Sequence, residues 1–262
     1  MSAATDQPSA ELPGGLRMPL LGFGTWQITG GQAYDAVREA LDVGYRHLDT
    51  ATMYGNEAEV GRAIRDSGVP REDIFVTTKL PPAQAGRERQ TIAASLAALD
   101  LDQIDLWLVH WPPSSDRQSV ATWREFRAIR DEGLTRTIGV SNYDTADIDA
   151  LIEATGEAPA VNQIRWGPAL YDAQVVAEHR DRGVVLEGYS PFKTTDLRDP
   201  VLAGIARAHG ATPTQVVLRW HLDHGIVAIP KSATPARIRE NFDVFGFSLS
   251  ESELRQLDAM AG

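Results

Sequence analysis

The chain has 262 residues, of which 43% are hydrophobic and 23% are charged, as is typical of a globular protein with a large core. It contains no cysteine, so disulfides, thiolate metal sites and a cysteine nucleophile are excluded. The net charge of −11 argues against a surface that binds nucleic acid or anionic membranes. The opening MSAATDQPSAELPGG lacks the basic and apolar regions of a secretory signal, and no apolar run reaches the ~18 residues that span a bilayer. We therefore expect a cytoplasmic protein.

Eight short runs rich in apolar and β-branched residues predict strands. In chain order they cover residues 18–24, 45–51, 74–80, 104–111, 135–142, 160–166, 184–190 and 226–232. Amphipathic segments between them predict helices, several of which end at a glycine. The last gap holds two predicted helices, one over 199–210 and one that begins with Thr212 as N-cap, Pro213 in the first turn and Gln215 completing a capping box.

This alternation predicts an α/β fold of the parallel (β/α)₈ barrel type, because eight βα units in about 250 residues match that architecture in number, order and size. We expect a single domain over residues 1–262, with the turn LPGG as an N-terminal cap and residues 1–11 disordered or loosely attached. A doubly wound sheet is the alternative. It is disfavoured because the run GFGTWQ at 22–27 does not continue into the G-x-G-x-x-G motif expected after an early strand.

Polar side chains end seven of the eight predicted strands. In a parallel barrel, the carboxyl ends of the strands gather at one face, and the active site lies there. Any one of these residues could be ordinary surface or a helix cap, but seven strands with apolar beginnings and polar ends favour a shared site. The residues are Asp49, Lys79, His110, Ser141 with Asn142, Gln163, Tyr189, and Lys231 with Ser232.

Tyr54 follows Asp49 by five residues, and the two indicate proton chemistry when they are combined with Lys79 and His110. A phenol with its ordinary pKa of about 10 is a poor proton donor at neutral pH, and a nearby ammonium stabilises its phenolate. Lys79 can supply that charge if Asp49, on the adjoining strand, holds it in place. His110 can then donate an N–H to an oxygen beside the phenol. The set predicts protonation of a carbonyl oxygen while another group attacks the carbon.

The motifs resemble those of the aldo-keto reductase family, and most closely its prokaryotic diketogluconate-reductase-like branch. The similarity runs through nearly the whole chain: LGFGTW, GYRHLDTATMYGNE, FVTTKL, DLWLVHWP, TIGVSN, VNQI, LEGYSPF, TPTQVVLRW and IPKSATPARIRENFDVF. The resemblance implies a monomeric barrel that reduces aldehydes or ketones to alcohols with NADPH. It also implies a catalytic tetrad of Asp49, Tyr54, Lys79 and His110, with Tyr54 as the general acid and the hydride coming from the nicotinamide.

The resemblance further implies which residues contact NADPH or NADP⁺. Ser141, Asn142 and Gln163 would hold the nicotinamide carboxamide, and Tyr189 would stack on its ring. The other implied cofactor contacts are Thr25, Trp26 and Asp49, then Ser190, Pro191 and Phe192 along the pyrophosphate, and Lys231, Ser232, Arg237, Glu240 and Asn241 at the adenosine end.

The residue types at the expected adenosine end also favour a phosphate there, independently of the resemblance. The Thr-Pro pair at 234–235 is typical of an N-cap and first turn, so a helix N-terminus would face the same side as Lys231 and Arg237. Two cations, a hydroxyl and that helix end suit a 2′-phosphate and favour NADP over NAD. The alternative is that Arg237 forms a surface ion pair with Glu240 or Glu178.

Departures from the family pattern concern the substrate pocket. Pro81 stands where the family commonly has Trp, and the family's Asn-Gln-x-Glu-x-His-Pro becomes NQIRWGP. The chain ends at LDAMAG, where relatives continue into a tail over the pocket, so we expect a shortened tail and a more open pocket. Such a pocket would accept small carbonyl substrates with loose discrimination. Its predicted walls are Phe23, Trp26, Tyr54, His110 and Trp111.

Two other functions fit parts of the pattern. His47, Asp49 and His110 could share a divalent ion in a metal-dependent hydrolase, but the remaining histidines fall in helices or turns, so we expect no metal. A non-catalytic NADPH-binding sensor is the second alternative, and the complete tetrad argues against it. We expect a small-molecule carbonyl substrate as the partner, with no nucleic acid and no membrane.

Overall fold

The computed structural model describes residues 7–261. Its strands are β1 (Ser9–Leu12), β2 (Leu16–Pro19), β3 (Phe23–Gly24), β4 (His47–Asp49), β5 (Phe75–Leu80), β6 (Ile104–Val109), β7 (Thr135–Ser141), β8 (Val161–Arg165), β9 (Val185–Tyr189) and β10 (Val227–Ile229). Its helices are α1 (Gly30–Val43), α2 (Glu57–Asp66), α3 (Glu88–Leu99), α4 (Asp116–Asp131), α5 (Thr145–Thr155), α6 (Ala173–Asp181), α7 (Pro200–Ala208), α8 (Pro213–Asp223), α9 (Pro235–Phe242) and α10 (Glu251–Asp258).

Strands β3 to β10 form the parallel (β/α)₈ barrel that the sequence predicts, and the prediction is confirmed. They lie side by side in chain order, and every neighbouring pair is parallel. The segment before β3 closes the ring against β10: the Gly22 amide donates to the Ala228 carbonyl at 2.9 Å, and the Ala228 amide donates to the Leu20 carbonyl at 2.8 Å. A doubly wound sheet has two open edges, so that alternative is wrong.

Each predicted strand contains one observed barrel strand, but the observed strands are shorter, and the predicted run 18–24 also includes the end of the hairpin strand β2. The run 226–232, for example, contains only Val227–Ile229 as a strand, and Lys231 lies in the loop that follows. The predicted runs extend too far because they include the first loop residues after the strands, such as Asn142 and Ser190, which have left-handed backbone conformations. The polar ends of the runs therefore lie at the rim of the barrel.

The N-terminal segment forms a hairpin that precedes the barrel. The sequence predicts residues 1–11 to be disordered or loosely attached, but Ser9–Leu12 pairs with Leu16–Pro19 in antiparallel register, and Leu12 and Met18 are buried in the core. Residues 1–6 lie outside the described part of the chain. The predicted LPGG turn connects the two strands, and Gly14 and Gly15 adopt the positive φ angles that favour glycine.

The helices bury one face against the barrel and begin where local signals place them. Ala33, Val37, Ala40 and Leu41 recur at helical spacing in α1 and are fully buried or nearly so. The predicted capping box of α8 is present: the Gln215 amide donates to Thr212 Oγ1, and the Thr212 amide donates to the Gln215 side chain. Within residues 7–261, no helix is long and apolar enough to cross a bilayer.

Candidate active site

A cavity of about 690 Å³ opens at the carboxyl ends of the barrel strands. A volume of this order is typical of sites that hold small molecules and cofactors. The strand ends contribute Asp49, His110, Ser141, Asn142, Gln163 and Tyr189 to its lining. All of the polar strand-end residues that the sequence singles out, except Lys79 and Ser232, therefore line one cavity.

Tyr54 reaches this cavity from a short 3₁₀ turn after β4. The turn covers residues 52–54 and ends at Gly55, whose φ of 64° is a left-handed conformation that suits glycine. Thr52 anchors the turn to β5 by donating from its hydroxyl to the Lys79 carbonyl at 2.9 Å. Gly55 thus allows the tight turn that folds the Tyr54 phenol back over Lys79.

Lys79 lies beneath the cavity between Asp49 and Tyr54. Its Nζ atom donates to both carboxylate oxygens of Asp49 at 2.7 Å and lies 3.5 Å from the Tyr54 hydroxyl. It also donates to the Thr50 carbonyl at 2.8 Å. The Lys79 side chain is fully buried, and a buried ammonium is costly unless it is paired and hydrogen-bonded. Asp49 and the Thr50 carbonyl therefore hold a positive charge beneath the phenol.

Burial and charge act in opposite directions on Lys79 and Tyr54. Burial lowers the pKa of Lys79, but the nearby Asp49 charge prevails and the pKa is raised, so the side chain stays an ammonium. Burial raises the pKa of Tyr54, and the Lys79 charge opposes that rise without cancelling it. Tyr54 is therefore protonated at neutral pH. The sequence predicts that Lys79 lowers this pKa; it acts in that direction, but burial outweighs it.

His110 stands beside the phenol just after β6. Its ring packs edge-on against the Tyr54 ring, with centroids 5.8 Å apart, and stacks on the Trp111 indole at 4.2 Å. Burial, together with the Lys79 charge, lowers the pKa of His110 to about 2. The imidazole is therefore neutral at physiological pH and keeps one N–H to donate.

A chain of hydroxyl and amide groups follows the next three strand ends. Ser141 Oγ donates to the Gln163 carbonyl at 2.8 Å, and Asn142 Nδ2 donates to Ser141 Oγ at 3.0 Å. The Tyr189 hydroxyl donates to Asn142 Oδ1 at 2.9 Å. The Gln163 side-chain amide donates to Asp49 Oδ2 at 2.9 Å, which joins this chain to the ion pair. The predicted carboxamide-binding residues thus form one connected network with the predicted tetrad.

Three non-glycine residues of the cavity lining have left-handed backbone conformations. They are Gln27, Asn142 and Ser190, with φ angles of 60°, 62° and 55°. Such a conformation costs on the order of 1 kcal/mol or more for each residue. Asn142 is held there because its side-chain amide donates to the His110 carbonyl at 3.0 Å. Strain of this kind concentrates at functional sites, which supports the cavity as the active site.

The outer rim of the cavity is positively charged although the protein carries a net charge of −11. Arg165, Lys193 and Lys231 line it, and the Lys193 ammonium lies 4.6 Å from the centre of the Trp26 ring. Among residues 7–261, Asp49 is the one acidic residue in this lining, and its charge is already paired with Lys79. The rim therefore suits an anionic ligand. The sequence motif NQIRWGP places Arg165 next to the predicted site, whereas no motif in the sequence indicates that Lys193 lies there.

Of the residues expected at the adenosine end, Lys231 and Ser232 precede α9 and Arg237 lies in its first turn, whereas Glu240 and Asn241 lie in its last turn. Thr234 and Pro235 occupy the N-cap and first-turn positions, and the Thr234 amide donates to Ser232 Oγ at 3.1 Å. Lys231 is exposed, whereas Asn241 is on the buried face of the helix.

Arg237 is exposed at the first turn of α9 and pairs with neither glutamate of the surface alternative. Glu240 instead accepts hydrogen bonds from Thr212 and Thr214 at 2.9 Å, and Glu178 accepts from Thr145 at 3.1 Å. Within the described residues, Arg237 makes no ion pair, so its guanidinium is available to a ligand.

Some residues predicted to contact the substrate or the cofactor do not line the cavity. Phe23 is buried in the core against Tyr45, with ring centroids 5.7 Å apart, so its assignment to the pocket wall is wrong. Thr25 is also buried, and its hydroxyl donates to the Asp49 carbonyl at 3.0 Å, so its side chain positions β4. Pro81 is buried outside the lining. Trp26 and Trp111 are 43% and 40% exposed and line the cavity.

His47 lies beneath the site, away from the cavity. Its Nε2 atom lies 3.3 Å from Thr77 Oγ1 and 3.7 Å from the Glu187 carboxyl, and its side chain is fully buried. In the described part of the chain, no three histidine, aspartate or glutamate side chains gather in a metal-binding cluster. The geometry does not support the shared ion of the hydrolase alternative.

Glu187 is a buried acid that the sequence argument missed. It lies in β9 two residues before Tyr189, and its Oε2 accepts from Gln163 Nε2 at 3.0 Å. The sequence does indicate its position, because residues two apart on a strand point to the same face and Tyr189 is a predicted site residue.

Comparisons with known proteins agree with this geometry. Residues 20–261 match the model of the Aldo/keto reductase family. The chain is 44% identical over 256 residues to an aldo-keto reductase of Mycolicibacterium smegmatis, covering 97% of this chain and 93% of the relative. It is 42% identical over 253 residues to the methylglyoxal reductase DkgA of Yersinia pestis, covering 95% and 91%. The crystal structure of an aldo/keto reductase from Brucella melitensis superposes with a TM-score of 0.94 at 42% identity, covering 97% of this chain and all of that one.

These matches confirm the predicted resemblance, including the diketogluconate-reductase-like branch. They extend over nearly the whole of each protein, so they describe the barrel and its cavity together. The chain therefore belongs to the aldo/keto reductase family of oxidoreductases, which reduce carbonyl groups with nicotinamide cofactors.

Proposed function

We propose that this protein is an NADPH-dependent reductase of aldehydes and ketones in which Tyr54 is the general acid. One observation carries the proposal: the buried Lys79 ammonium lies 2.7 Å from Asp49 and 3.5 Å from the Tyr54 hydroxyl at the floor of the cavity. A sensor that only binds a nucleotide has no use for a buried cation beneath a phenol.

The cavity has the groups that a nicotinamide dinucleotide needs. Ser141, Asn142 and Gln163 would hold the carboxamide, and Tyr189 would lie against the ring. Among the further proposed contacts are Trp26 and Asp49 in the same cavity, Thr25 next to them, and Ser190, Pro191 and Phe192 along the pyrophosphate. NADPH supplies the hydride for the carbonyl carbon when it is bound.

The chain's own residues would handle the proton. Tyr54 is protonated at neutral pH and can donate to the carbonyl oxygen. The neutral His110 can donate its N–H to the same oxygen and orient it. Lys79 then stabilises the phenolate that remains, and Asp49 keeps Lys79 charged. The proton returns to Tyr54 from solvent through the open mouth of the cavity.

A preference for NADPH over NADH is supported by the surroundings of α9. Lys231 and Arg237 are exposed cations near the helix N-terminus, and Ser232 adds a hydroxyl. Glu240 and Asn241 would contact the adenosine. A 2′-phosphate would bring a negative charge to this cationic group, whereas the 2′-hydroxyl of NADH would leave it unpaired.

The substrate class is small carbonyl compounds. The Trp26 and Trp111 indoles give the cavity apolar walls, and Tyr54 and His110 give it two donors. Few fixed polar groups mean loose discrimination between substrates. The relative from Yersinia pestis is called a methylglyoxal reductase, which makes small dicarbonyls the first compounds to test. The monomeric state and the cytoplasmic location stay predictions.

The test is oxidation of NADPH and, in parallel, of NADH with a panel of aromatic aldehydes, α-dicarbonyls and keto sugars. We expect turnover of several panel members with NADPH and weaker turnover with NADH. The metal-dependent hydrolase alternative predicts no NADPH oxidation with any panel member, and reductase activity that survives a chelator would argue against it. Binding of NADPH without turnover of any carbonyl would instead favour the sensor and overturn the proposal.

A further inference from the structure

Glu187 is a buried acid beside the site that the proposed proton path does not use. Its side chain is fully buried in the barrel, its Oε2 accepts from Gln163 Nε2 at 3.0 Å, and its Oε1 has no hydrogen-bond partner among the described residues. An ionised carboxylate in this position would be costly, because one hydrogen bond does not replace its hydration.

The Gln163 amide is fixed from the inner side by two acids. Its Nε2 atom donates to Asp49 Oδ2 at 2.9 Å and to Glu187 Oε2 at 3.0 Å, so both N–H groups are used inside the barrel. The amide oxygen makes no hydrogen bond among residues 7–261, and Gln163 lines the cavity. The oxygen is therefore the polar atom that Gln163 offers to a ligand, and it suits the N–H₂ group of a carboxamide.

The titratable groups that face Glu187 come from two strands. They are His47 and Asp49 of β4 and Lys79 of β5, while β8 contributes the neutral Gln163 and Val227–Ile229 of β10 contributes none. Burial, then the Asp49 charge, raises the pKa of Glu187 to about 8, although the Gln163 hydrogen bond and the Lys79 charge oppose this. Burial lowers the pKa of His47 to about 3. At neutral pH the cluster thus holds one cation, Lys79, and one anion, Asp49.

We propose that Glu187 is a positioning residue: as a neutral acid it fixes the Gln163 amide with its oxygen toward the nicotinamide carboxamide, and it leaves Asp49 as the single carboxylate that shares the Lys79 charge. The inference rests on the proposed NADPH-dependent function. Ionised Glu187 would add a second negative charge near Lys79 and so weaken the positive charge that stabilises the Tyr54 phenolate.

The first test compares binding of two nucleotides to Glu187→Gln and Glu187→Leu. NADP⁺ contains the nicotinamide, whereas adenosine 2′,5′-bisphosphate contains only the adenosine end. We expect Glu187→Gln, which keeps a neutral acceptor for Gln163, to bind both ligands at pH 7 within about twofold of wild type. Glu187→Leu removes the acceptor, so it should weaken NADP⁺ binding about tenfold and leave the bisphosphate unchanged.

Other results of this binding test would overturn the inference. Loss of both ligands in Glu187→Leu indicates a general structural defect, and loss of neither shows that Gln163 needs no support. A tenfold loss of NADP⁺ in Glu187→Gln at pH 7 shows that wild-type Glu187 acts as an anion. If wild type itself binds no NADP⁺, the proposed function fails and the positioning role fails with it.

The second test needs neither cofactor nor activity. A carboxyl whose folded-state pKa is raised from 4.5 to about 8 stabilises the fold fully below the lower value, and this stabilisation is lost as pH rises to the higher one. Glu187→Gln has no such dependence. We expect its Tm to exceed that of wild type by a margin that widens between about pH 5 and about pH 8 and is constant above. A margin that stays constant through this window shows that Glu187 is ionised throughout and overturns the inference.

Discussion

Lys79 and Asp49 form a buried ion pair in which the ammonium lies 2.7 Å from both carboxylate oxygens. Neither side chain is more than 3% exposed, so water cannot replace the missing partner if one of them is changed. The pair therefore links the stability of the barrel to the proposed chemistry. Its removal should affect both, and the two effects are separable.

Lys79→Met should lower the free energy of unfolding by about 3–5 kcal/mol, because Asp49 is left buried without its counter-charge. The double variant Lys79→Met/Asp49→Asn should recover much of that loss, since no unpaired charge remains. Neither variant should reduce carbonyls at a significant rate. Urea denaturation of both proteins checks the stability, and equal destabilisation in the single and double variants would contradict the unpaired-charge explanation.

Tyr54→Phe should reduce kcat by roughly 10²–10⁴-fold, the usual contribution of a positioned general acid. NADPH affinity should change by no more than about twofold, since the proposed contacts of the cofactor are elsewhere. Tyr34→Phe is the matched control, because Tyr34 is a surface residue whose hydroxyl donates to Asp66. Steady-state kinetics and fluorescence titration measure the two quantities. A Tyr54→Phe enzyme that kept most of its turnover would remove Tyr54 from the role of acid.

The pH dependence of turnover should show no ionisation of His110. Burial and the Lys79 charge lower the pKa of His110 to about 2. The imidazole therefore stays neutral, with one N–H group, at every pH at which the enzyme can be assayed. We expect kcat to stay flat from about pH 7, below the Glu187 pKa of about 8, down to about pH 5, whereas an ordinary histidine would titrate near 6.5. A pH–rate profile checks this. An acid limb in wild type that disappears in His110→Gln would show that the ring titrates.

Arg237→Ala should weaken NADPH binding by about 10–100-fold and leave NADH binding nearly unchanged, because only NADPH carries the 2′-phosphate. Arg239→Ala on the same helix is the control, since Arg239 pairs with Glu39 of α1 at 2.8 Å. Titration of each protein with both cofactors measures the selectivity. Equal losses for NADPH and NADH would mean that Arg237 acts on the helix or on a shared part of the nucleotide.

The sequence predicts most of the barrel and the residues at its rim, because both depend on periodic patterns. Parallel strands leave their last residues at one face, so Asp49, Lys79 and His110 are brought together by topology alone. The same period of two explains the error at Phe23. A side chain at Gly22 would meet the His47 ring, so even positions of this segment face the barrel interior and Phe23 faces the helices.

Features that depend on exact distances could not be predicted. The net upward shift of the Tyr54 pKa results from a balance between burial and the Lys79 charge. The sequence predicts the Lys79 charge but not the extent to which Tyr54 is buried. The contact of Lys193 with Trp26 joins two loops whose conformations follow no periodic pattern. Glu187 is intermediate: its face was readable from Tyr189, but its complete burial was not.

The last prediction concerns the packing of α2 against α3, which contributes to the frame that holds the site. A Cβ atom at Gly61 would lie 2.1 Å from the Leu99 carbonyl oxygen, and that oxygen belongs to backbone that cannot move away cheaply. Gly61→Ala should therefore lower the free energy of unfolding by roughly 3 kcal/mol, although alanine favours helices. Gly204 in α7 is the matched control, because a Cβ there meets nothing within 4 Å and the backbone is helical. Gly204→Ala should raise stability by about 0.5–1 kcal/mol. Thermal and urea denaturation measure the stability of the two variants. A stabilised Gly61→Ala protein would show that α2 and α3 can move apart without cost.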